Sequence, residues 1–139
     1  MIPTRRFEVG EYIIREDDTD RTMYIIMEGK VRVETRDPAT GEVVVLAELG
    51  PKDFFGETAL LLDQPRNASV VALTPVEVYP ISSRDMLADY VEIHPSFAMR
   101  MIMIMAKRVD QMKEAYLKTY GYLQYAKQVL MESLHQRID

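Results

Sequence analysis

Residues 56 to 69 read GETALLLDQPRNAS, and two of them carry groups that could hold a ligand. Glu57 opens the stretch with a carboxylate. Arg66 follows nine residues later, directly after Pro65. A guanidinium presents a planar fork of donors that matches two oxygens of a phosphate. Pro65 fixes φ before it and carries no competing N–H. Between them, a helical turn through Thr58, Ala59 and Leu60 would leave backbone N–H groups unsatisfied, and such groups suit an anion. Gly56 and Ala59 are small enough for a ligand to approach the backbone. Glu57 is an acceptor, and a sugar hydroxyl is a natural donor to it. Phosphate on Arg66 and backbone, with a hydroxyl on Glu57, describes a nucleotide whose phosphate and ribose lie close together. The alternative is a surface ion pair between the two, worth about 0–1 kcal/mol if exposed. Spacing alone leaves both open.

The elements that must position these groups fall into two parts. Residues 1–83 read as short strands rich in Val, Ile, Tyr and Phe, near 5–8, 11–15, 23–28, 30–37, 42–49, 67–73 and 76–81. KVRVETR alternates apolar and polar as a half-buried strand does. DPATGE makes a hairpin loop, and MEGK a tight turn in which Gly29 can take a positive φ. Many short strands with regular turns predict a sandwich or barrel, with the jelly roll one member of that set.

Residues 84–139 read as helix. Ser82 is expected to cap the first helix, with Asp85 three residues on. His94-Pro95 marks a break, with Pro95 in the first turn of the next helix. Positions 102, 105, 109, 112, 116, 119, 123, 126 and 130 are Ile, Met, Val, Met, Tyr, Thr, Leu, Ala and Leu. Their spacing alternates three and four, the seam of a coiled coil. A second copy of the chain could cover it, so residues 98–130 are expected to form a homodimer. Gly121 costs roughly 1 kcal/mol inside a helix, so two alternatives stand: one helix ends near 120 and a second begins, or a single helix near 40 residues runs roughly 60 Å.

Composition narrows the chemistry. The chain has 139 residues and a net charge of −5, which fits one domain and gives general nucleic-acid binding no electrostatic support. The first 83 residues hold 9 Lys/Arg against 15 Asp/Glu, and the remainder 8 against 7. An anion site in the acidic part must therefore be local and well built. There is no cysteine, which excludes disulfides and thiolate metal sites and favours a cytoplasmic setting. The N-terminus lacks the apolar run of a signal peptide, and no segment is apolar for long enough to span a bilayer. His94 and His135 are the only histidines, and both lie outside the strand region, so a metal enzyme of the jelly-roll type is not expected. Thr58 and Ser69 have no histidine neighbour in sequence to activate them as nucleophiles. An arginine and backbone cradle binds a phosphate without attacking it. No catalytic residue, metal or catalytic cofactor is expected.

G-E-T-A-L, five further residues and then R-N-A-S resembles the phosphate-binding cassette of cyclic nucleotide-binding domains. The resemblance covers residues about 5 to 120 and includes GPKDFFGE and HPSFAMRMIMIMAKRV. It implies a mainly β fold with C-terminal α structure: a double-stranded β-helix (jelly-roll) barrel over 1–83, then a hinge helix and a long dimerisation helix over 84–139. It implies that Glu57 takes the ribose 2′-hydroxyl and Arg66 clamps the cyclic phosphate. Gly56, the Thr58–Ala59 turn and Ala68 would lie nearby. Val33, Leu46 and Leu49 would form apolar walls, with Met112 packing on the base from the long helix. Asn67 stands where the family usually carries Ala, Ser or Thr, which leaves cyclic AMP and cyclic GMP both open, cyclic AMP being the expected ligand. Relatives that bind DNA continue into a helix-turn-helix, and residues 120–139 supply no basic recognition helix, so this chain is not expected to bind nucleic acid directly. The expected function is a non-catalytic sensor that signals through movement of its C-terminal helices. The alternatives are a ligand-free interaction module with a vestigial pocket, or the sensor half of a transcription regulator.

Overall fold

The structure is a computed structural model, and it describes residues 3–138. The strands are β1 (Arg5–Phe7), β2 (Tyr12–Ile14), β3 (Met23–Glu28), β4 (Val31–Arg36), β5 (Val43–Leu49), β6 (Phe54–Phe55), β7 (Ser69–Ala72) and β8 (Val76–Ile81). A short helix α1 (Glu57–Leu62) interrupts them, and α2 (Arg84–Ile93) and α3 (Pro95–Ile138) follow. All the ladders are antiparallel. They form two four-stranded sheets in the orders β1-β8-β3-β6 and β2-β7-β4-β5. The mainly β reading with C-terminal helices holds. Among the described residues, however, the ladders leave two open sheets and do not close a barrel.

One apolar cluster joins the sheets. Tyr24, Ile26, Phe55, Val76 and Val78 come from the first sheet, and Ile14, Val31, Val70 and Ala72 from the second. The Tyr24 and Phe55 rings stack with centroids 5.4 Å apart, a geometry that adds about 0.5–1.5 kcal/mol to their burial. Gly29 closes the β3–β4 turn at φ 90°, where a Cβ would stand 2.2 Å from the Pro75 carbonyl oxygen. Only glycine satisfies both constraints.

Two local expectations need correction, and one open alternative is settled. Phe54–Phe55 forms a strand outside the seven expected ranges, pairing Phe55 with Tyr24 and Phe54 with Ile25. Two residues cannot display an alternation, so periodicity misses them. The cap of α2 is Ser83, not Ser82: the Met86 amide donates to the Ser83 hydroxyl at 3.1 Å, while the Ser82 hydroxyl meets the Met86 sulfur. Finally, α3 runs unbroken through Gly121 for 44 residues, about 66 Å at 1.5 Å per residue. One glycine costs about 1 kcal/mol, less than breaking the ladder and nucleating a new helix. Pro95 opens α3 as foreseen.

The chain divides into two compact units, Met1–Tyr90 and Val91–Asp139. The first holds both sheets, α1 and most of α2. The second is essentially α3, whose Ile102, Val109, Met112, Tyr116, Leu123 and Leu130 are each at least 60% exposed.

Candidate functional site

The candidate site grows from the end of β6. Phe54 and Phe55 are buried against β3, which fixes where the chain leaves the sheet. Gly56 then turns into α1 with φ 82° and ψ 6°. A Cβ on Gly56 would stand 2.9 Å from Arg66 Nη1 and 3.0 Å from both the Thr22 carbonyl oxygen and Ile14 Cδ1. Glycine is required for the conformation and for the approach of the arginine. Glu57 opens α1, and Ala59 and Leu60 bury its inner face. Asp63 ends the helix in the left-handed region at φ 57° and pairs with Arg21 at 3.0 Å.

Arg66 is held at both backbone and side chain. Its amide donates to the Asp18 carbonyl and its carbonyl accepts from the Asp17 amide, each at 2.9 Å. Its side chain reaches inward and is 3% exposed. Nη1 donates to the Gly56 carbonyl at 3.1 Å, and Nη2 donates to the Thr22 carbonyl. Nη2 also lies 3.6 Å from Asp20 Oδ2. Asp20 is itself held, because its Oδ1 accepts from the Thr22 amide at 3.2 Å and the Thr22 hydroxyl at 3.0 Å.

The electrostatics follow from this burial. Desolvation presses the Arg66 pKa downward, and Asp20, Tyr24, Asp18 and Glu57 oppose it, Asp20 most strongly. For Asp20, partial burial works against the carboxylate. The hydrogen bonds from Thr22 and the charge of Arg66 outweigh that and hold its pKa below the ordinary value. A cation removed from water this far gains from any added negative charge. The site is therefore suited to an anion, with one fork already aligned on backbone carbonyls.

The structure brings Gly56, Glu57, Thr58, Ala59 and Arg66 together around this turn. Ala68 and Asn67 follow Arg66 into β7, Asn67 exposed and Ala68 half-buried. Val33 and Leu49 pack on the core cluster, and Val33 pairs in register with Val70. Leu46 falls at an irregularity in the β4–β5 ladder, between the partners of Val33 and Glu34, and is 56% exposed. Such a bulge turns a side chain away from the regular alternation. Met112 lies on α3, in the second unit. Sequence reasoning missed Asp20 and Thr22, which supply much of the Arg66 environment. The visible signal was the run DDTD at 17–20, an acidic turn before a strand. Among the described residues, no group of three His, Cys, Asp or Glu side chains could hold a metal ion, and no helix is long and apolar enough to cross a membrane.

Comparison with known proteins places the chain. Residues 4–89 match the model of the cyclic nucleotide-binding domain. A "cAMP-dependent protein kinase regulatory subunit" of Dictyostelium discoideum is 46% identical over 70 residues, which is 48% of this chain and 21% of that protein. The crystal structure of Thermus thermophilus catabolite activator protein superposes with a TM-score of 0.68 at 29% identity, covering 84% of this chain and 52% of the other. A "regulatory subunit of a cAMP-independent protein kinase A" from Trypanosoma cruzi, bound to guanosine, gives a TM-score of 0.54 at 37% identity over 57% of this chain and 28% of its own. This chain thus spans about a fifth to a half of the length of these relatives. Its matched region contains the Arg66 cradle, both sheets and α1, and the chain belongs to the cyclic nucleotide-binding domain family.

Proposed function

We propose that this chain is a non-catalytic sensor of a cyclic nucleotide, cyclic AMP in the first instance, located in the cytoplasm and acting as a homodimer through residues 98–130. The observation that carries the reading is Arg66: a side chain 3% exposed, docked on the Gly56 carbonyl, whose desolvation disfavours the charge that nearby negative groups support and that an added anion would support further. In this reading the cyclic phosphate lies on Arg66 and on backbone donors of Gly56, Thr58, Ala59 and Ala68. Glu57 accepts from the ribose 2′-hydroxyl. Val33 and Leu49 lie beside the sugar, with Leu46 and Asn67 toward the base and Met112 as a soft apolar contact to it. Jelly-roll winding of the strands belongs to the same proposal, as do the roles of α2 as hinge and α3 as dimerisation helix. Ligand binding would shift the population of helix arrangements by its differential affinity for them.

One observation favours a second reading. The relative from Trypanosoma cruzi is described as cAMP-independent and bound to guanosine, a nucleoside without a phosphate. Titration calorimetry with cyclic AMP, cyclic GMP and guanosine separates the two. The first reading expects cyclic AMP to bind more tightly than guanosine. Guanosine binding as tightly as either cyclic nucleotide would overturn it, and no binding of any of the three would leave the chain as an interaction module.

A further inference from the structure

Strand β2 reads Tyr12-Ile13-Ile14, and its ladder with β7 takes in one extra residue. Tyr12 pairs with Val71 and Ile14 with Val70, which leaves Ile13 as the bulge. Ile13 and Ile14 are the same residue type, so the apolar pattern does not decide which of them pairs with Val70. The choice matters beyond the sheet. Ile14 Cδ1 lies 3.0 Å from the position a Cβ on Gly56 would take, so Ile14 packs against the turn that opens α1. Further along the chain, the Asp17 amide and the Asp18 carbonyl hold the backbone of Arg66. The bulge therefore sets how β2 meets the cradle.

Polar ties fix the chain on either side of Ile13. Strand β7 lies between β2 and β4, and the ties reach across it. Before the bulge, the Tyr12 hydroxyl donates to Glu34 Oε1 at 2.7 Å. After it, the Glu16 carboxylate accepts from the Thr35 hydroxyl and the Arg36 amide, and the Glu16 amide donates to the Ser69 hydroxyl at 2.8 Å. A regular ladder continued from the Tyr12–Val71 pair would set Glu16 opposite Asn67, whereas the Ile14–Val70 pair sets it opposite Ala68, beside Ser69. The Glu34 tie is the buried one. Its side chain is 6% exposed, its Oε2 accepts from Arg32 Nε at 3.1 Å, and the Arg15 guanidinium lies 4.5 Å over the Tyr12 ring. A buried carboxylate needs such partners, and an apolar pair of similar shape would stabilise the sheet about as well. What the polar pair adds is one register.

We infer that Tyr12 and Glu34 are positioning residues for the cradle: the hydrogen bond between them fixes the β2 bulge, which seats Ile14 against Gly56 and brings residues 17 and 18 to the backbone of Arg66. This rests on the reading of 56–69 as the ligand site.

Calorimetric titration of cyclic AMP reads the cradle, and proton–proton contacts between β2 and β7 in nuclear magnetic resonance spectra of the same samples read the register. Glu34→Leu removes the acceptor and leaves Arg32, 38% exposed, to solvent. It should weaken cyclic AMP binding by about 10-fold, and Ile13 should replace Ile14 opposite Val70. Glu34→Gln keeps an acceptor in the same shape and should hold affinity within about 3-fold of the native chain. Tyr12→Phe removes only the hydroxyl. It should move both readouts in the direction of Glu34→Leu, and it decides the question should Glu34→Leu fail to fold. Native affinity in the folded variants would overturn the inference. Affinity lost with the Ile14–Val70 pair intact would overturn it too, since the bulge would then not depend on the hydrogen bond. A native chain that does not bind cyclic AMP removes the proposed function instead, and the contacts alone then decide whether Tyr12 and Glu34 set the bulge.

Discussion

At the scale of single residues, the site is a matter of what surrounds one guanidinium. The stretch GETALLLDQPRNAS displays Glu57 and Arg66 openly, and their residue types were enough to suggest phosphate and hydroxyl chemistry. What could not be read is the company Arg66 keeps. Its carbonyl partners, Gly56 and Thr22, contribute backbone atoms, and backbone atoms leave no mark on residue identity. Asp20 lies 46 residues before Arg66 in the chain and meets it only through the fold. Asp20 supports a pH prediction. Its folded pKa lies below the ordinary 3.8, so the stability it contributes is present above the unfolded value and is lost as pH falls through the folded one. Its side chain is 51% exposed, and solvent screening keeps the effect modest. Chemical unfolding of Asp20→Asn followed from about pH 6 to about pH 2 should show a shallower acid limb than the native chain. Identical acid limbs would mean that the Thr22 hydrogen bonds and Arg66 do not hold the Asp20 carboxyl below its ordinary value.

At the scale of elements, long patterned segments were legible and short or backbone-determined ones were not. KVRVETR alternates over enough residues to identify β4, and Pro95 marks the start of α3 unambiguously. Strand β6 has two residues, and its existence depends on pairing with Tyr24 and Ile25. The choice between Ser82 and Ser83 as cap depends on a one-residue phase, which propensity does not resolve. The local cost of Gly121 left a break and a continuous helix both open, and long-range continuity of the helix outweighs a cost of about 1 kcal/mol. A Cβ at Gly121 would meet nothing within 4 Å. Gly121→Ala should therefore stabilise α3 by up to about 1 kcal/mol. Thermal melting followed by circular dichroism should show a higher midpoint, and an unchanged or lower one would mean that the glycine serves a packing role.

At the scale of the whole molecule, the mainly β character with helices toward the C-terminus could be read from period and glycine spacing. The resemblance implied a closed barrel, whereas the ladders form two open sheets; closure is decided by which edge strands pair, and edge pairing leaves no trace in alternation. Oligomeric state belongs to this scale. The three-four seam of α3 includes Ile102, Val109, Met112, Tyr116, Leu123 and Leu130, all well exposed in the single chain. A contiguous apolar stripe of that length is expected to be covered by a partner. Light scattering should give twice the 16.1 kDa chain mass, and Leu123→Glu, a charge placed in the seam, should return it to one. A native monomer would assign the stripe elsewhere.

The central claim, that a buried arginine receives the phosphate of a cyclic nucleotide, is tested most directly by calorimetric titration of cyclic AMP into the native chain and Arg66→Ala. Removing a charge-assisted, two-pronged contact should weaken binding by about 2 kcal/mol or more, while guanosine, which carries no phosphate, should lose far less. Equal cyclic AMP affinity in the two proteins, with the variant folded, would contradict the account.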